Sequence, residues 1–174
     1  MRSPLLRGTC QHSLTSVLSA EWPHHYILRS SIIFGPPPPF APVTRSLFLQ
    51  WLDGALAAGP VDLFEDEYRT PTYVDDLCVL CAALVGGVAE SEERTFNVGG
   101  PERLSRAQMG DAVAAVRGYE REHVRRVPAA SAARTFATPV DISMDSALLE
   151  KTFPGAQVTP FAQALVAIFS SDVN

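Results

Sequence analysis

Residues 65–77 read Glu-Asp-Glu-Tyr-Arg-Thr-Pro-Thr-Tyr-Val-Asp-Asp-Leu, a polar loop that leads directly into an apolar helical pattern. Asp75 and Asp76 are typical of a helix start, because a carboxylate there can accept hydrogen bonds from the free N–H groups of the first turn. The apolar residues 77–85 supply a face for burial. Arg69 therefore lies on a loop whose far end is fixed by a helix, and such a loop can hold a ligand.

Strand-like and helix-like patterns alternate along the rest of the chain, which predicts an α/β fold class. Residues 26–34 form a near-continuous apolar and β-branched run, typical of one strand buried on both faces. Gly35 and the prolines that follow it end this strand. Ser105 and Gln108 have the spacing of a capping box. The predicted helices lie at 44–58, 73–85, 105–118, about 145–151 and from 159 onward, and the further strands at 61–64, 94–98 and 123–127.

Length and charge exclude several classes of protein. A chain of 174 residues with 47% hydrophobic residues is long enough for one domain with its own core. A net charge of −5, with arginines and glutamates interspersed at 117–126, argues against nucleic acid as a partner. No apolar run approaches the roughly 20 residues that cross a bilayer. We expect a cytoplasmic protein, with organelle targeting as the alternative, because the atypical N-terminal segment 1–25 has no acid before Glu21.

The cysteines and histidines suggest no metal site. Cys10, Cys78 and Cys81 are too few for a disulfide framework, which favours a reducing compartment. Cys78 and Cys81 have the spacing of a redox motif, but they lie within an apolar helical pattern, so we predict that both pack in the core. His24 and His25 have no acidic or cysteine partner at a recognisable spacing.

Three motifs in order resemble the C-terminal half of the extended short-chain dehydrogenase/reductase superfamily. They are residues 26–36, 65–77 and 95–100, the last reading Thr-Phe-Asn-Val-Gly-Gly. The most similar branch is the dTDP-4-dehydrorhamnose reductase group, which also contains the regulatory beta subunit of methionine adenosyltransferase. The resemblance implies an N-terminally truncated Rossmann-type α/β fold that lacks the dinucleotide-binding half. Residues 26–174 would then be an RmlD-like substrate-binding domain.

The sequence lacks the parts of that superfamily that carry out the chemistry. A dinucleotide-binding half needs closely spaced glycines after its first strand, and no glycines here have that spacing. The superfamily's catalytic pair is a Tyr followed four residues later by a Lys, which lowers the pKa of the phenol. The only lysine is Lys151, and no Tyr precedes it at that distance. We therefore assign no catalytic residue to this chain.

The resemblance implies contacts with a cofactor at the end of the first strand. In the family, the segment that matches residues 29–35 runs past the nicotinamide. Ser30, Ser31 and Ile32 are therefore the implied contacts with NADP or NAD, the cofactor of the parent family. Without the glycine-rich turn, we expect this chain to bind neither tightly.

The resemblance also implies a substrate site that includes Arg69, Thr70, Thr72 and Asn97. A guanidinium can bind phosphate or carboxylate through two parallel hydrogen bonds, so the expected ligand is a nucleotide sugar or another small anion. Arg69 has an alternative interpretation as the ion-pair partner of one of the acids at 65–67. The alternative interpretation of Asn97 is a turn residue before Gly99.

Two functions are consistent with these residues. The first is the substrate-binding half of an NAD(P)-dependent, dTDP-4-dehydrorhamnose-like nucleotide-sugar reductase, not catalytically competent by itself. The alternative is a non-catalytic regulatory subunit similar to the beta subunit of methionine adenosyltransferase, with the catalytic adenosyltransferase subunit as its partner. Residues 134–145 resemble a late motif of the same branch, although Thr138 replaces its usual Arg before the proline.

The chain is expected to bind NADPH weakly or not at all and not to reduce a 4-keto sugar. Both the phosphate-binding turn and the proton-transfer pair are missing, and proton transfer alone typically contributes about 10²–10⁴ in rate. Titration of NADPH, followed by its fluorescence, measures the affinity. A micromolar dissociation constant would contradict this prediction.

Overall fold

A computed structural model describes residues 16–17, 20–22, 24–38, 47–87, 91–133, 139–156 and 158–170. Three predicted segments lie partly outside the described residues. They are the N-terminal segment, the proline-containing stretch after Gly35, and the late motif at 134–145, including Thr138. The strands are β1 Ile27–Ser30, β2 Ile33–Phe34, β3 Val61–Phe64, β4 Tyr68–Arg69, β5 Thr72–Tyr73, β6 Thr95–Val98, β7 Leu104–Ser105 and β8 Val124–Val127. The helices are α1 Phe48–Ala58, α2 Val74–Val85, α3 Arg106–Arg117, α4 Ala147–Thr152 and α5 Phe161–Ser170, with 3₁₀ turns at Arg121–His123 and Ala129–Ser131.

The strands form pairs, most of them parallel. β1 pairs with β6, β2 with β5 and β3 with β8 in parallel, whereas β4 and β7 are antiparallel. Parallel neighbours need long crossover connections, and here helices such as α1, α2 and α3 lie in those connections. The α/β fold class that the alternating pattern predicts is confirmed.

The predicted strand at 26–34 is two strands in the structure. β1 ends at Ser30 and β2 begins at Ile33, with a bend between them. The break allows the segment to pair with β6 first and then with β5. Burial on both faces is also wrong for β2, because Ile33 is 44% exposed while Phe34 is 2% exposed. A continuous apolar run in the sequence does not reveal that its two ends pair with different strands.

Two apolar clusters form the core. The larger one packs α1, α3 and α5 around β3 and β8, and its fully buried side chains include Leu52, Met109 and Leu165. The smaller one lies around Phe96 of β6 and includes Phe153 after α4. Burial of one such side chain contributes roughly 1.5–3 kcal/mol relative to exposure, so the helices are fixed mainly by these contacts.

The capping box of α3 is confirmed. The Ser105 hydroxyl accepts a hydrogen bond from the Gln108 N–H at 3.1 Å, and the Gln108 side chain accepts one from the Ser105 N–H at 2.7 Å. Gly118 ends the helix with a left-handed φ of 73°, a conformation that glycine adopts without steric cost.

The predicted cap of α2 is wrong. Tyr73 is the N-cap residue, and its side chain makes no capping hydrogen bond. Asp75 instead accepts a hydrogen bond from the Tyr73 hydroxyl at 2.7 Å. Burial, together with this bond and the Asp75 charge, raises the pKa of Tyr73 to about 12. Asp76 accepts hydrogen bonds from the N–H and hydroxyl of Thr159, at 2.6 and 2.9 Å, and thereby joins α2 to the segment before α5.

The predicted core packing of the α2 cysteines is also wrong. Cys78 and Cys81 are exposed, and Leu80 is the buried residue of this turn. Helical periodicity shows that a face is apolar, but it does not show which side of the helix meets the core. Within the described part of the chain, no helix is long and apolar enough to span a membrane.

Two helical glycines offer a matched test of the packing of α3. An added Cβ at Gly110 would overlap the Leu63 side chain of β3, whereas one at Gly54 of α1 would meet open space. Gly54→Ala should stabilise the chain by about 0.5–1 kcal/mol, because alanine has the higher helix propensity. Gly110→Ala should destabilise it by about 1–3 kcal/mol through overpacking. Urea denaturation measures both, and equal stabilisation would contradict the described contact between α3 and β3.

Candidate functional site

Thr72 connects two parts of the sheet beneath the candidate site. Its N–H donates to the Ile32 carbonyl at 2.8 Å, and its hydroxyl donates to the Val98 carbonyl at 2.8 Å. Thr72 is only 3% exposed. Through its N–H and its hydroxyl, Thr72 therefore fixes the turn after β1 against the end of β6.

Three segments converge at Thr70. Its hydroxyl accepts a hydrogen bond from the Met144 N–H at 3.2 Å, and its carbonyl accepts one from the Gly100 N–H at 3.2 Å. An added Cβ at Gly100 would overlap the Pro71 carbonyl oxygen, so the backbones touch here without room for a side chain. The Gly99 N–H donates to the Ser146 hydroxyl at 2.9 Å.

Residues 139–146 form a segment that we call the strap. The Tyr68 N–H donates to the Val140 carbonyl at 2.7 Å, and the Ile142 N–H donates to the Tyr68 carbonyl at 3.3 Å. The strap thus runs beside β4 in parallel. At its end, the Asn97 amide donates to the Asp145 carbonyl at 3.2 Å. Asn97 therefore holds the strap against β6, a role that sequence alone did not predict.

A cleft of about 450 Å³ opens between the strap, the turn at Gly100 and Pro101, and α4. We call it the polar cleft, because six of its ten lining residues have hydroxyl, carboxylate or guanidinium side chains. Its wall consists of Thr70, Gly100, Pro101, Arg103, Ser143, Met144, Asp145, Ser146, Ala147 and Glu150. Thr70 is the one predicted substrate-binding residue that lines it.

Arg103 was not predicted as a site residue. Its Nε and Nη2 lie 2.9 and 2.8 Å from the same Asp141 oxygen, and its guanidinium carbon lies 3.5 Å from the centre of the Tyr68 ring. The pKa of Asp141 is lowered from its ordinary 3.8 to about 2 by hydrogen bonds from the Ser143 N–H and hydroxyl and then by Arg103. Asp141 therefore stabilises the strap above about pH 4, and this contribution is lost as the pH falls toward 2.

Arg69 is 4% exposed and belongs to β4 rather than to a loop, and its side chain contacts the strap. Its Nη2 is 3.8 Å from a Glu67 carboxylate oxygen, and its Nη1 donates to the carbonyls of Tyr68 and Val140 at 2.6 and 3.4 Å. Of the two interpretations of Arg69, the ion pair with an upstream acid is present in the structure. Its contact with an anionic ligand stays a prediction.

A second cleft, of about 500 Å³, lies on the α1 side of β4. We call it the aromatic cleft. Its lining consists of Phe48, Trp51, Asp62, Leu63, Phe64, Glu67 and Arg106. The Arg106 guanidinium carbon lies 4.9 Å from the centre of the Phe48 ring. Glu67 lines this cleft and Thr70 lines the polar cleft, so residues 67–70 form the wall between the two.

The amino-acid sequence matches the model of a known protein family. The model of the RmlD substrate binding domain matches residues 5–173. The chain belongs to this family. This RmlD-family chain also resembles solved structures of extended short-chain dehydrogenases in fold. A search of the curated proteins found no match.

Three solved structures show the likeness. A dTDP-4-dehydrorhamnose reductase from Yersinia enterocolitica has 15% identity and a TM-score of 0.70, over 90% of this chain and 53% of that one. The reductase from Bacillus anthracis in complex with NADP has 17% identity and a TM-score of 0.66, over 84% and 48%. A dTDP-glucose 4,6-dehydratase from Bacillus anthracis in complex with NAD has 14% identity and a TM-score of 0.68, over 97% and 51%. The chain spans about half the length of these structures, and the likeness shows its fold.

In the RmlD-family chain, the residues that the resemblance assigns to cofactor contact lie at the end of β1 and in the turn after it. Ser30 pairs with Val98 across β1 and β6, and the Ile32 carbonyl accepts the hydrogen bond from Thr72. The Ser31 hydroxyl is buried and has no hydrogen-bond partner among the described residues, so it is free to bind a polar group of a ligand. The sequence has neither the phosphate-binding turn nor the Tyr and Lys pair. These residues therefore fit a contact with part of a dinucleotide and do not fit the whole cofactor.

Substitution of Arg69 distinguishes its two interpretations. Because Arg69→Ala removes the positive charge beside the buried Glu67 carboxylate, we expect a loss of about 3–5 kcal/mol in the free energy of unfolding. Arg125→Ala is the control, since Arg125 and Asp62 form an exposed ion pair that contributes at most about 1 kcal/mol. Thermal and urea denaturation measure both variants. An unchanged melting temperature with a ten-fold loss of affinity for dTDP would instead support the ligand contact.

Proposed function

We propose that this chain binds a nucleoside-diphosphate hexose and is the substrate-binding half of an NAD(P)-dependent nucleotide-sugar reductase, similar to the dTDP-4-dehydrorhamnose reductases. The polar cleft carries this proposal. Its hydroxyl, carboxylate and guanidinium groups offer both donors and acceptors to a sugar, and it lies beside Thr70 on the loop that the family resemblance assigns to the substrate.

The aromatic cleft supports the nucleoside part of the proposal. Phe48, Trp51 and Phe64 offer apolar and aromatic surface to a planar base. Trp51 is 47% exposed, so its ring is accessible. In this proposal the base and the hexose lie on opposite sides of the wall formed by residues 67–70, and the diphosphate crosses between the two clefts.

The chain's own residues account for binding and not for the chemical step. Reduction of a 4-keto sugar needs a hydride donor and a proton donor, and the sequence has no Tyr and Lys pair to transfer the proton. Burial and Asp75 raise the pKa of Tyr73 to about 12, so Tyr73 stays protonated near neutral pH and its hydroxyl donates a hydrogen bond to Asp75. The residues that line the polar cleft therefore hold and orient the hexose.

A variant that fills the polar cleft tests this function. Ala147 is an exposed residue at the start of α4 and lines the cleft, so Ala147→Phe should reduce the affinity for dTDP-glucose by ten-fold or more without lowering the melting temperature. Ala115→Phe, on the exposed side of α3, is the matched control and should bind as the wild type does. Isothermal titration calorimetry measures both affinities.

Equal affinities in both variants would contradict the assignment of the polar cleft. Failure of the wild-type chain to bind dTDP-glucose, together with a stable complex with the catalytic subunit of methionine adenosyltransferase, would favour the regulatory alternative. The exposed Val79 and Val85 on α2, at 58% and 91%, are the apolar surface available to such a partner.

A further inference from the structure

Arg103 lines the polar cleft, and its guanidinium is held by Asp141 along one edge and by Tyr68 on one face. Asp141 binds Nε and Nη2, and Tyr68 covers one face of the guanidinium. A guanidinium has five N–H donors in a fixed plane, and Asp141 occupies two of them. The remaining three, two on Nη1 and one on Nη2, have no partner in the described ranges. The side chain is 49% exposed, so these donors are accessible.

The loop that carries Arg103 is fixed from the other side as well. The neighbouring Glu102 carboxylate accepts a hydrogen bond from the Phe161 N–H at the start of α5, at 2.6 Å. The next residue, Leu104, pairs with Arg69 in the antiparallel β4–β7 ladder. Arg103 therefore presents its donors from a preorganised position, which reduces the conformational entropy that is lost when a ligand binds.

The charges around the polar cleft indicate which group Arg103 binds. Asp141 neutralises the guanidinium, and Asp145 and Glu150 line the same cleft. The cleft is therefore not positively charged overall, and a diphosphate would be repelled there. An uncharged oxygen is a suitable acceptor for the free donors, and a hexose presents several such oxygens together with hydroxyl donors for the two carboxylates.

We propose that Arg103 binds the hexose of the ligand by donating to a hydroxyl or carbonyl oxygen, and so determines the contribution of the sugar to affinity. This inference rests on the proposed function. Arg69 does not serve this purpose, because it is buried and its donors bind Glu67 and two backbone carbonyls. Arg106 lines the other cleft.

The test compares dTDP-glucose with dTDP, which lacks the hexose. Arg103→Ala should weaken the binding of dTDP-glucose by roughly ten-fold or more, because a hydrogen bond from a charged donor is lost. The affinity for dTDP should change by less than about three-fold. Arg103→Lys should lose most of the same increment, because an ammonium lacks the planar edge with several donors. Arg126→Ala is the matched control, since Arg126 is 46% exposed and pairs with Asp111 away from the cleft.

The outcomes separate this inference from the proposed function. A wild-type chain that binds dTDP-glucose and dTDP equally would overturn the role of Arg103 while leaving nucleotide binding intact. A parallel loss of both affinities in Arg103→Ala would also overturn it, because Arg103 would then hold the strap or bind the diphosphate. Thermal denaturation of Asp141→Asn measures the strap's own contribution to stability. If the wild-type chain binds neither compound, the proposed function is wrong and the inference is overturned with it.

Discussion

The two hydrogen bonds of Thr72 are the constraint on which the candidate site depends. They join the turn after β1 to the end of β6, in the interior, where an unpaired hydroxyl or N–H would cost about 1–3 kcal/mol. Because β5 begins at Thr72, the same bonds fix the position of Thr70 and Pro71, which precede it. Thr70 then holds both Gly100 and Met144. The polar cleft is thus a consequence of strand pairing rather than of a mobile loop.

The wall between the two clefts has a buried ion pair at its centre. Glu67 and Arg69 are 4% exposed each, and removing two charges from water is costly even when they attract each other. Such a pair therefore contributes less to stability than to a fixed geometry. Arg69 also binds the Val140 carbonyl of the strap. The pair keeps β4 and the strap in register, so that Tyr68 remains beneath the Arg103 guanidinium.

Carboxylates from other elements bind the N–H groups at the start of α5. Asp76 of α2 binds Thr159, and Glu102, in the loop between β6 and β7, binds Phe161. The C-terminal helix is thereby attached both to the helix that follows the candidate site and to the loop that carries Arg103. α5 also contributes Phe161, Leu165 and Ile168 to the larger core cluster. Core packing and the position of the polar cleft are consequently coupled through a few hydrogen bonds.

Features that depend on neighbours along the chain could be predicted from the amino-acid sequence. The α/β order, the strand at 61–64, the capping box of Ser105 and the end of α3 at Gly118 follow from local hydrogen bonding and periodicity. The family followed from the order of its motifs. Three other features depend on tertiary contacts: Asp76 binds Thr159, Cys78 is exposed, and Arg103 pairs with Asp141. These contacts join residues dozens of positions apart, and which ones form depends on how strands and helices align, which no local pattern specifies.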